Sequence, residues 1–267
     1  MRSAIITGTG IYEIAGHNFR PESIDTPFGL AQVFLSEDPQ LDLVFLARHG
    51  LDHTTPPHKI NYRANIKALQ ILGVKQVLAA YAVGSINPEI PPLGMALITD
   101  FLDFTSGRPL SFFDGGDSGL AHTSMDQPFC PSLGAKVLEL APEFKLSLRK
   151  ESVYVASNGP RFETPAEIRA YTRLGGDVVG MTCVPEVVLA KELGIHFAAV
   201  ALSINWASGI EETMTIVEGD CGDLNNRLTD LFIQTLTSDI QFTCRCESAA
   251  MISHPPVERG ETAPKGG

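Results

Sequence analysis

Short, continuously apolar segments alternate along this chain with segments of helical periodicity, and this alternation limits the folds open to it. The apolar segments predict β-strands over residues 3–7, 43–47, 76–83, 96–101, 153–157, 177–181 and 196–204. The segments between them predict helices over residues 62–72, 133–140, 165–174, 184–193 and 224–236. Strands that are apolar at consecutive positions are covered on both faces, as in α/β proteins. We therefore predict a single α/β domain over residues 1–240, with a mixed central β-sheet flanked by helices.

The composition excludes several classes of function. The 267 residues include 20 Lys and Arg against 31 Asp and Glu, a net charge of −11 that argues against nucleic-acid or anionic-membrane partners. The longest apolar runs are far shorter than the ~18 residues of a membrane helix, and the N-terminus shows no secretion signal. Five cysteines at unpatterned positions predict a reduced, cytoplasmic protein.

The C-terminal segment carries little pattern. It has no apolar periodicity from about Glu247, and we expect residues 241–267 to form a disordered tail. The one close cysteine pair, Cys244 and Cys246, is interpreted as incidental rather than as a redox or metal motif.

Polar residues follow the ends of the first two predicted strands, at the position where ligands bind in α/β sheets. Gly8-Thr9-Gly10 is not a dinucleotide fingerprint, because Glu13 stands where the third glycine belongs. Its N–H groups and the Thr9 hydroxyl suit a single phosphate or sulfate, although a purely structural turn is the alternative. Arg48 and His49 suit an oxyanion.

The segment after Arg48 leaves further alternatives open. His49, His53 and His58 lie close enough in sequence to suggest a metal site. The His-Glu-x-x-His zinc motif needs a continuous helix, which the glycine and prolines here oppose. A solvated loop is the remaining alternative to oxyanion binding.

The later strand ends carry residues with two interpretations each. Phe162 can stack on a base or pack in the core, and Glu163 can accept a hydrogen bond from a ring N–H or favour a helix start by its charge. Thr182 can cap a helix or contact phosphate. Asn205 is either a turn residue or a ligand selector. Taken singly, none of these residues decides the function.

The order of the motifs is more specific than any one of them. It resembles the methylthioadenosine phosphorylase branch of the purine nucleoside phosphorylase family, over residues 3–236. The motifs are Gly8-Thr9-Gly10, Ala47-Arg48-His49-Gly50, Asn61-Tyr62-Arg63-Ala64-Asn65, Ala82-Val83-Gly84-Ser85, Gly159-Pro160-Arg161-Phe162 and Met181-Thr182-x-Val184-Pro185-Glu186. The resemblance implies a homotrimer with shared active sites that cleaves purine nucleosides reversibly. Inorganic phosphate is then the co-substrate, with no metal and no organic cofactor.

The resemblance also assigns roles to residues. Those implied to bind phosphate are Thr9, Arg48, His49 and Thr182, with the backbone around Tyr81 and Ala82. Those implied to contact the nucleoside are Met181 under the ribose, Phe162 against the base, and His122 at the 5′ end of a neighbouring subunit's substrate; His53 is a further candidate. Tyr81 is a departure, because relatives usually carry Thr or Asn there.

Three positions depart from the adenine-specific members, which carry Asp at positions 205 and 207 and Ser at 163. Glu163 can accept from N1–H of hypoxanthine or guanine, whereas adenine N1 has no hydrogen, and the Asn205 amide can donate to O6 and N7. Mispaired buried polar groups cost ~1–3 kcal/mol each. Glu163, Asn205 and Ala207 therefore predict a 6-oxopurine base, and Glu163, Asn205 and His49 are the candidate catalytic residues.

The 5′ end of the sugar is expected near Ile216, where other purine nucleoside phosphorylases carry a histidine for the 5′-hydroxyl. An apolar residue favours a methylthio group, so we predict S-methyl-5′-thioinosine as substrate, with inosine and guanosine next. The alternatives are a methylthioadenosine phosphorylase, a nucleoside hydrolase and a non-catalytic purine-binding protein. Arg48 and Thr182 argue against a hydrolase, which needs no phosphate.

Overall fold

The computed structural model describes residues 1–50, 52–213, 215–217 and 221–253. Its strands are β1 (Ser3–Thr7), β2 (Phe19–Thr26), β3 (Gly29–Ser36), β4 (Leu43–Ala47), β5 (Gln76–Ser85), β6 (Met95–Ile98), β7 (Asp100–Asp103), β8 (Leu120–Thr123), β9 (Leu148–Arg149), β10 (Val153–Ala156), β11 (Val178–Gly180), β12 (His196–Trp206) and β13 (Ala250–Ser253). Its helices are α1 (Tyr62–Ile71), α2 (Pro131–Leu140), α3 (Pro165–Arg173), α4 (Cys183–Glu192) and α5 (Cys221–Thr237). The predicted α/β fold with a mixed sheet is confirmed.

Strand β5 organises the main sheet. It pairs in parallel with β1 through its first half and with β12 along its whole length, while its last residues pair antiparallel with β11. Strand β4 runs parallel to β1. The carboxyl ends of β1, β4, β5 and β12 therefore point in the same direction, and β11 begins beside the end of β5 and runs back along it towards the ends of β1 and β4.

Helices cover the sheet on two faces. Ile66 of α1 and Val187 of α4 belong to the apolar core on one face, and Leu133 of α2 and Phe232 of α5 belong to the core on the other. Helix α3 packs in a smaller cluster beside the end of β5. Coverage on both faces explains why the central strands are apolar at consecutive positions.

Several predicted boundaries are wrong. The strand predicted over 96–101 is two strands, β6 and β7. The β2–β3 hairpin was not predicted, because β2 is largely polar and Gln32 interrupts the apolar residues of β3. The tail predicted over 241–267 is ordered over residues 241–253, where Cys246 is fully buried and β13 pairs antiparallel with β8. Residues 254–267 lie outside the described part. No helix in the described ranges is both long and apolar enough to span a membrane.

Candidate active site

A cavity of about 800 Å³ lies where the carboxyl ends of the central strands meet. The residues predicted from the sequence that line it are Thr9, His49, His53, Ala82, Phe162, Glu163, Met181, Thr182, Asn205, Ala207 and Ile216. Residues separated by as many as two hundred positions in the chain therefore share one cavity. Arg48, Tyr81 and His122 are not among its lining residues.

The turn after β1 is held tightly against the strand ends. The Arg48 N–H donates to the Thr7 carbonyl over 2.9 Å, and Asn225 Nδ2 of α5 donates to the Gly10 carbonyl over 3.0 Å. A methyl group at Gly8 would lie 2.6 Å from Arg48 Nη1 and 3.4 Å from His49 Nε2. The missing side chain at Gly8 therefore lets the turn approach both Arg48 and His49, and Thr9 lines the cavity.

Arg48 is a buried cation, and one of its three nitrogens has no hydrogen-bond partner among the described residues. Its Nε donates to Glu186 Oε1 over 2.8 Å and its Nη1 to the Ala80 carbonyl over 2.9 Å. Its Nη2 is buried with no hydrogen-bond partner among the described residues. Burial lowers the pKa of Arg48, but the Glu186 carboxylate and Tyr81 raise it more, so the guanidinium stays charged. Arg48 is only 3% exposed, so the alternative that it belongs to a solvated loop is wrong.

His49 is a neutral imidazole in this environment. Its pKa is lowered to about 4, chiefly by burial; the hydrogen bond to Thr55 raises it, and the Arg48 charge and His53 lower it. Its Nδ1 lies 2.8 Å from the Thr55 carbonyl oxygen. Because a carbonyl only accepts, Nδ1 carries the proton and Nε2 is an acceptor. Nε2 therefore faces the turn at Gly8 ready to accept a proton or a hydrogen bond.

Tyr81 does not enter the cavity as a side chain. Its ring is buried beneath Arg48, whose guanidinium carbon lies 4.4 Å from the ring centroid, and its hydroxyl donates to Glu186 Oε2 over 2.6 Å. The next three residues of β5, Ala82, Val83 and Gly84, line the cavity instead. A phosphate contact of the Tyr81 side chain is not supported, and the backbone at this position remains a prediction.

Thr182 stands at the start of α4 without capping it. Its N–H donates to the Tyr154 hydroxyl over 3.2 Å, but its side chain makes no capping hydrogen bond. The hydroxyl therefore remains available to a ligand in the cavity that it lines. Of the two interpretations from the sequence, this geometry favours contact with phosphate over helix capping.

Glu163 and Asn205 lie at another part of the same cavity. Ser157 Oγ donates to Glu163 Oε1 over 2.6 Å, which leaves the second carboxylate oxygen for a ligand. Glu163 precedes the helix cap of α3, Thr164, so it is not a first-turn charge. Asn205 lies inside β12 and not in a turn, just after a bulge, and is buried. Its Nδ2 donates to the Trp206 carbonyl over 2.7 Å.

Phe162 and Met181 line the cavity, and Met181 packs against a constrained glycine. Gly159 has a φ of +62°, and a methyl group there would collide with Met181 Sδ. Phe162 is 47% exposed and lines the cavity, so it is not a core residue. Its ring is available to a planar ligand.

The remaining wall is mostly apolar but includes a histidine. The Val217 N–H donates to the Ile204 carbonyl over 2.8 Å, which brings Ile216 against β12. His53 also lines the cavity, and its Nδ1 lies 3.0 Å from the Tyr12 hydroxyl. Its ring centroid is 4.7 Å from that of His49. A histidine from the loop after β4 therefore lines this wall of the cavity.

Comparison with known proteins identifies the family of this chain. Residues 4–236 match the family model of the phosphorylase superfamily. The chain belongs to the phosphorylase superfamily. It is 45% identical to a probable 6-oxopurine nucleoside phosphorylase of Moorella thermoacetica, over 94% of this chain and 98% of that one.

Two further phosphorylases are similar to it. It is 40% identical to a probable S-methyl-5′-thioinosine phosphorylase of Methanopyrus kandleri, over 92% of this chain and 96% of that one. A crystal structure of a methylthioadenosine phosphorylase from an antarctic soil metagenomic library has a TM-score of 0.83 at 29% identity, covering 95% of this chain and 93% of that one.

Two residues of this phosphorylase-family site were missed from the sequence. Arg108 Nη1 donates to the carbonyls of Met181 and Val184 over 2.7 and 2.6 Å, and its Nη2 donates to the Asn158 carbonyl over 2.9 Å. It thereby ties two strand-end loops together. Asn225 supports the Gly8–Gly10 turn from α5. Both act on backbone atoms distant in the chain, and only the length of the glycine-rich loop around Arg108 hinted at a role.

His122 lies apart from the cavity of its own chain. It is an exposed residue of β8, where it pairs with Met251 of β13 in a separate two-stranded sheet. The expectation that it reaches a neighbouring phosphorylase subunit stays a prediction.

Proposed function

We propose that the protein cleaves 6-oxopurine nucleosides with phosphate, giving the free purine and a ribose 1-phosphate. The observation that carries the proposal is a buried Glu163 in the same cavity as Asn205 and His49, with the buried cation Arg48 next to His49 in the chain. The names of the relatives from Moorella thermoacetica and Methanopyrus kandleri support the same base class.

The base would be selected by the protonation of its N1. The Glu163 oxygen not bonded to Ser157 can accept from N1–H of hypoxanthine or guanine, whereas it faces a lone pair in adenine. A buried mispairing of this kind costs ~1–3 kcal/mol, which is about 5- to 150-fold in affinity. Asn205 can turn its amide from the Trp206 carbonyl to donate to O6 or N7.

Phosphate would lie at the corner formed by the Gly8–Gly10 turn, Arg48, His49 and Thr182. A phosphate dianion has one P–OH and three unprotonated oxygens. The P–OH can donate to His49 Nε2, while the other oxygens accept from Arg48 Nη2 and from the hydroxyls of Thr9 and Thr182. The unpartnered Nη2 would thus gain its acceptor.

Catalysis would follow from charge placement. A phosphate oxygen bonds to C1′ as the C1′–N9 bond breaks, and the electron pair of that bond leaves with the purine. The phosphate stabilises the positive charge that develops on the ribose, and the Asn205 amide stabilises the negative charge on the purine. Loss of one such donor typically raises the barrier by ~3 kcal/mol.

The finer assignments are also part of the proposal. Ile216 and Val217, together with Leu202 and Ile204, give the cavity an apolar wall that suits a 5′-methylthio group, so S-methyl-5′-thioinosine is proposed ahead of inosine and guanosine. Phosphate serves as co-substrate, and neither a metal nor an organic cofactor takes part in the reaction. The homotrimer and the cytoplasmic location stay predictions from the sequence.

The test measures base release from inosine, S-methyl-5′-thioinosine and methylthioadenosine, each with and without phosphate. We expect phosphate-dependent release from the two oxopurines, faster for the methylthio compound. Phosphate-independent release would indicate a hydrolase, and fastest release from methylthioadenosine would overturn the base assignment. Glu163→Gln should reduce the preference for oxopurines over methylthioadenosine, whereas Glu167→Gln, four residues on and outside the cavity, should not.

A further inference from the structure

Four metal-ligating side chains meet at one point outside the cavity. They belong to Cys130, His196, Cys244 and Cys246, and their ligand atoms all lie within 4.8 Å of one another. None of them lines the cavity. His196 and Asn205 stand at opposite ends of β12, nine residues apart, which is about 30 Å along a strand.

The spacing of these atoms fits a tetrahedral zinc ion. Cys130 Sγ lies 3.5 Å from Cys244 Sγ and 3.6 Å from His196 Nδ1, and Cys244 Sγ lies 3.2 Å from the same nitrogen. Ligands of zinc at its usual bond lengths are about 3.8 Å apart for two sulfurs and about 3.6 Å for sulfur and nitrogen. We propose that these four residues form a structural zinc site, an inference that does not depend on the proposed function.

The surroundings suit such a site electrostatically. Three thiolates and Zn²⁺ carry a net charge of −1, and the buried Lys191 Nζ lies 3.5 Å from Cys246 Sγ to balance it. The second ring nitrogen of His196, Nε2, lies 3.6 Å from Glu247 Oε1. A carboxylate on the outer nitrogen of a zinc-bound histidine fixes its orientation and raises its basicity.

A disulfide accounts for this cluster less well. A disulfide between any two of the three cysteines would not explain why the third thiol and the imidazole converge on the same point. The Leu133 N–H also donates to Cys130 Sγ over 3.5 Å, a contact that stabilises a thiolate. Four protein ligands with no open position, three of them from buried residues, are typical of structural rather than catalytic zinc.

The zinc would fasten the C-terminal segment to the domain. Cys130 is the N-cap of α2 and His196 begins β12, whereas Cys244 and Cys246 lie beyond α5. The chain continues from Cys246 into β13, which pairs with β8. The metal therefore holds in place the small sheet that carries His122. The sequence analysis interpreted the pair Cys244 and Cys246 as incidental, because the fold alone brings it next to Cys130 and His196.

The test begins with the wild-type chain purified under reducing conditions. After incubation with Zn²⁺ and removal of the excess, elemental analysis should give one zinc per chain, and a thiol-blocking mercurial should release it. Reconstitution with Co²⁺ should give the intense absorption of a tetrahedral thiolate site. Cys244→Ser and His196→Gln should lose the zinc, while Cys221→Ser, at a cysteine outside the cluster, should keep it.

Two results would overturn the proposal. One is failure of the reduced wild-type chain to take up either Zn²⁺ or Co²⁺, which needs no variant to fold. The other is an intact mass two hydrogens lighter with no zinc, which would show that two of the cysteines form a disulfide instead. Zinc retained by both ligand variants would equally place the metal elsewhere.

Discussion

Replacing Glu186 by Gln should make the stability of this protein depend strongly on phosphate. The Glu186 carboxylate is 1% exposed and is the counter-ion of Arg48, which is itself buried. Glutamine preserves the shape and can still accept from Arg48 Nε, so the substitution removes mainly charge. Breaking a buried ion pair by neutralising one partner costs about 3–5 kcal/mol, because the remaining charge is uncompensated. A bound phosphate dianion would restore a negative charge beside Arg48.

The assay is urea unfolding of wild type and Glu186→Gln, with and without phosphate. We expect a loss of about 3–5 kcal/mol without phosphate and a larger stabilisation by phosphate in the variant than in wild type. Tyr81→Phe is the matched control, because it removes only the second hydrogen bond to Glu186 and should cost ~1–3 kcal/mol without changing the phosphate effect. A loss below about 1 kcal/mol would refute the counter-ion role. Equal phosphate stabilisation of variant and wild type would remove Arg48 from the phosphate site.

Three shorter predictions follow from the same site. As the pH falls from 6.5 to about 4, wild type should lose more free energy of unfolding than His49→Asn, measured by urea unfolding without phosphate. The reason is that the histidine takes up a proton in the unfolded chain at a higher pH than in the folded one. Parallel pH profiles would exclude His49 as the cause. Gly8→Ala should raise the KM for phosphate, measured by saturation kinetics, about tenfold or more, because its methyl group would collide with Arg48. That change corresponds to ~1.4 kcal/mol of binding free energy. Gly222→Ala, where a methyl group has no atom within 4 Å, should leave the KM unchanged. Arg108→Lys cannot bridge the same carbonyls and should lower both Tm and kcat/KM, so unchanged values would show that the two loops hold themselves in place.

The central fold could be predicted because its strands are buried on both faces and read as continuous apolar runs. The β2–β3 hairpin was not predicted because β2 is mostly polar and Gln32 interrupts the apolar residues of β3. Strand β13 escaped for a different reason. Its four residues are partly or fully exposed, and its partner strand lies about 130 positions earlier in the chain. Pairing across such a distance leaves no local pattern.

The candidate site was predictable to the extent that its residues follow strands. Thr9, His49, Thr182 and Asn205 each stand at or near a strand end, and one edge of the sheet brings them together. The support of these residues was not predictable in the same way. Arg108 acts through carbonyl groups, which every residue possesses, so the sequence cannot indicate which of them it binds.

The arrangement of the cavity has a consequence for how the protein could be altered. The proposed phosphate site is supported by the buried Arg48–Glu186–Tyr81 cluster, whereas Glu163 lies in the loop after β10 and Asn205 lies in β12. No hydrogen bond within the described ranges joins the two groups. Substitutions in groups that share no partner tend to combine additively. We therefore expect a library that varies positions 163, 205 and 207 to change the preference for the base while the Arg48–Glu186–Tyr81 cluster stays unchanged.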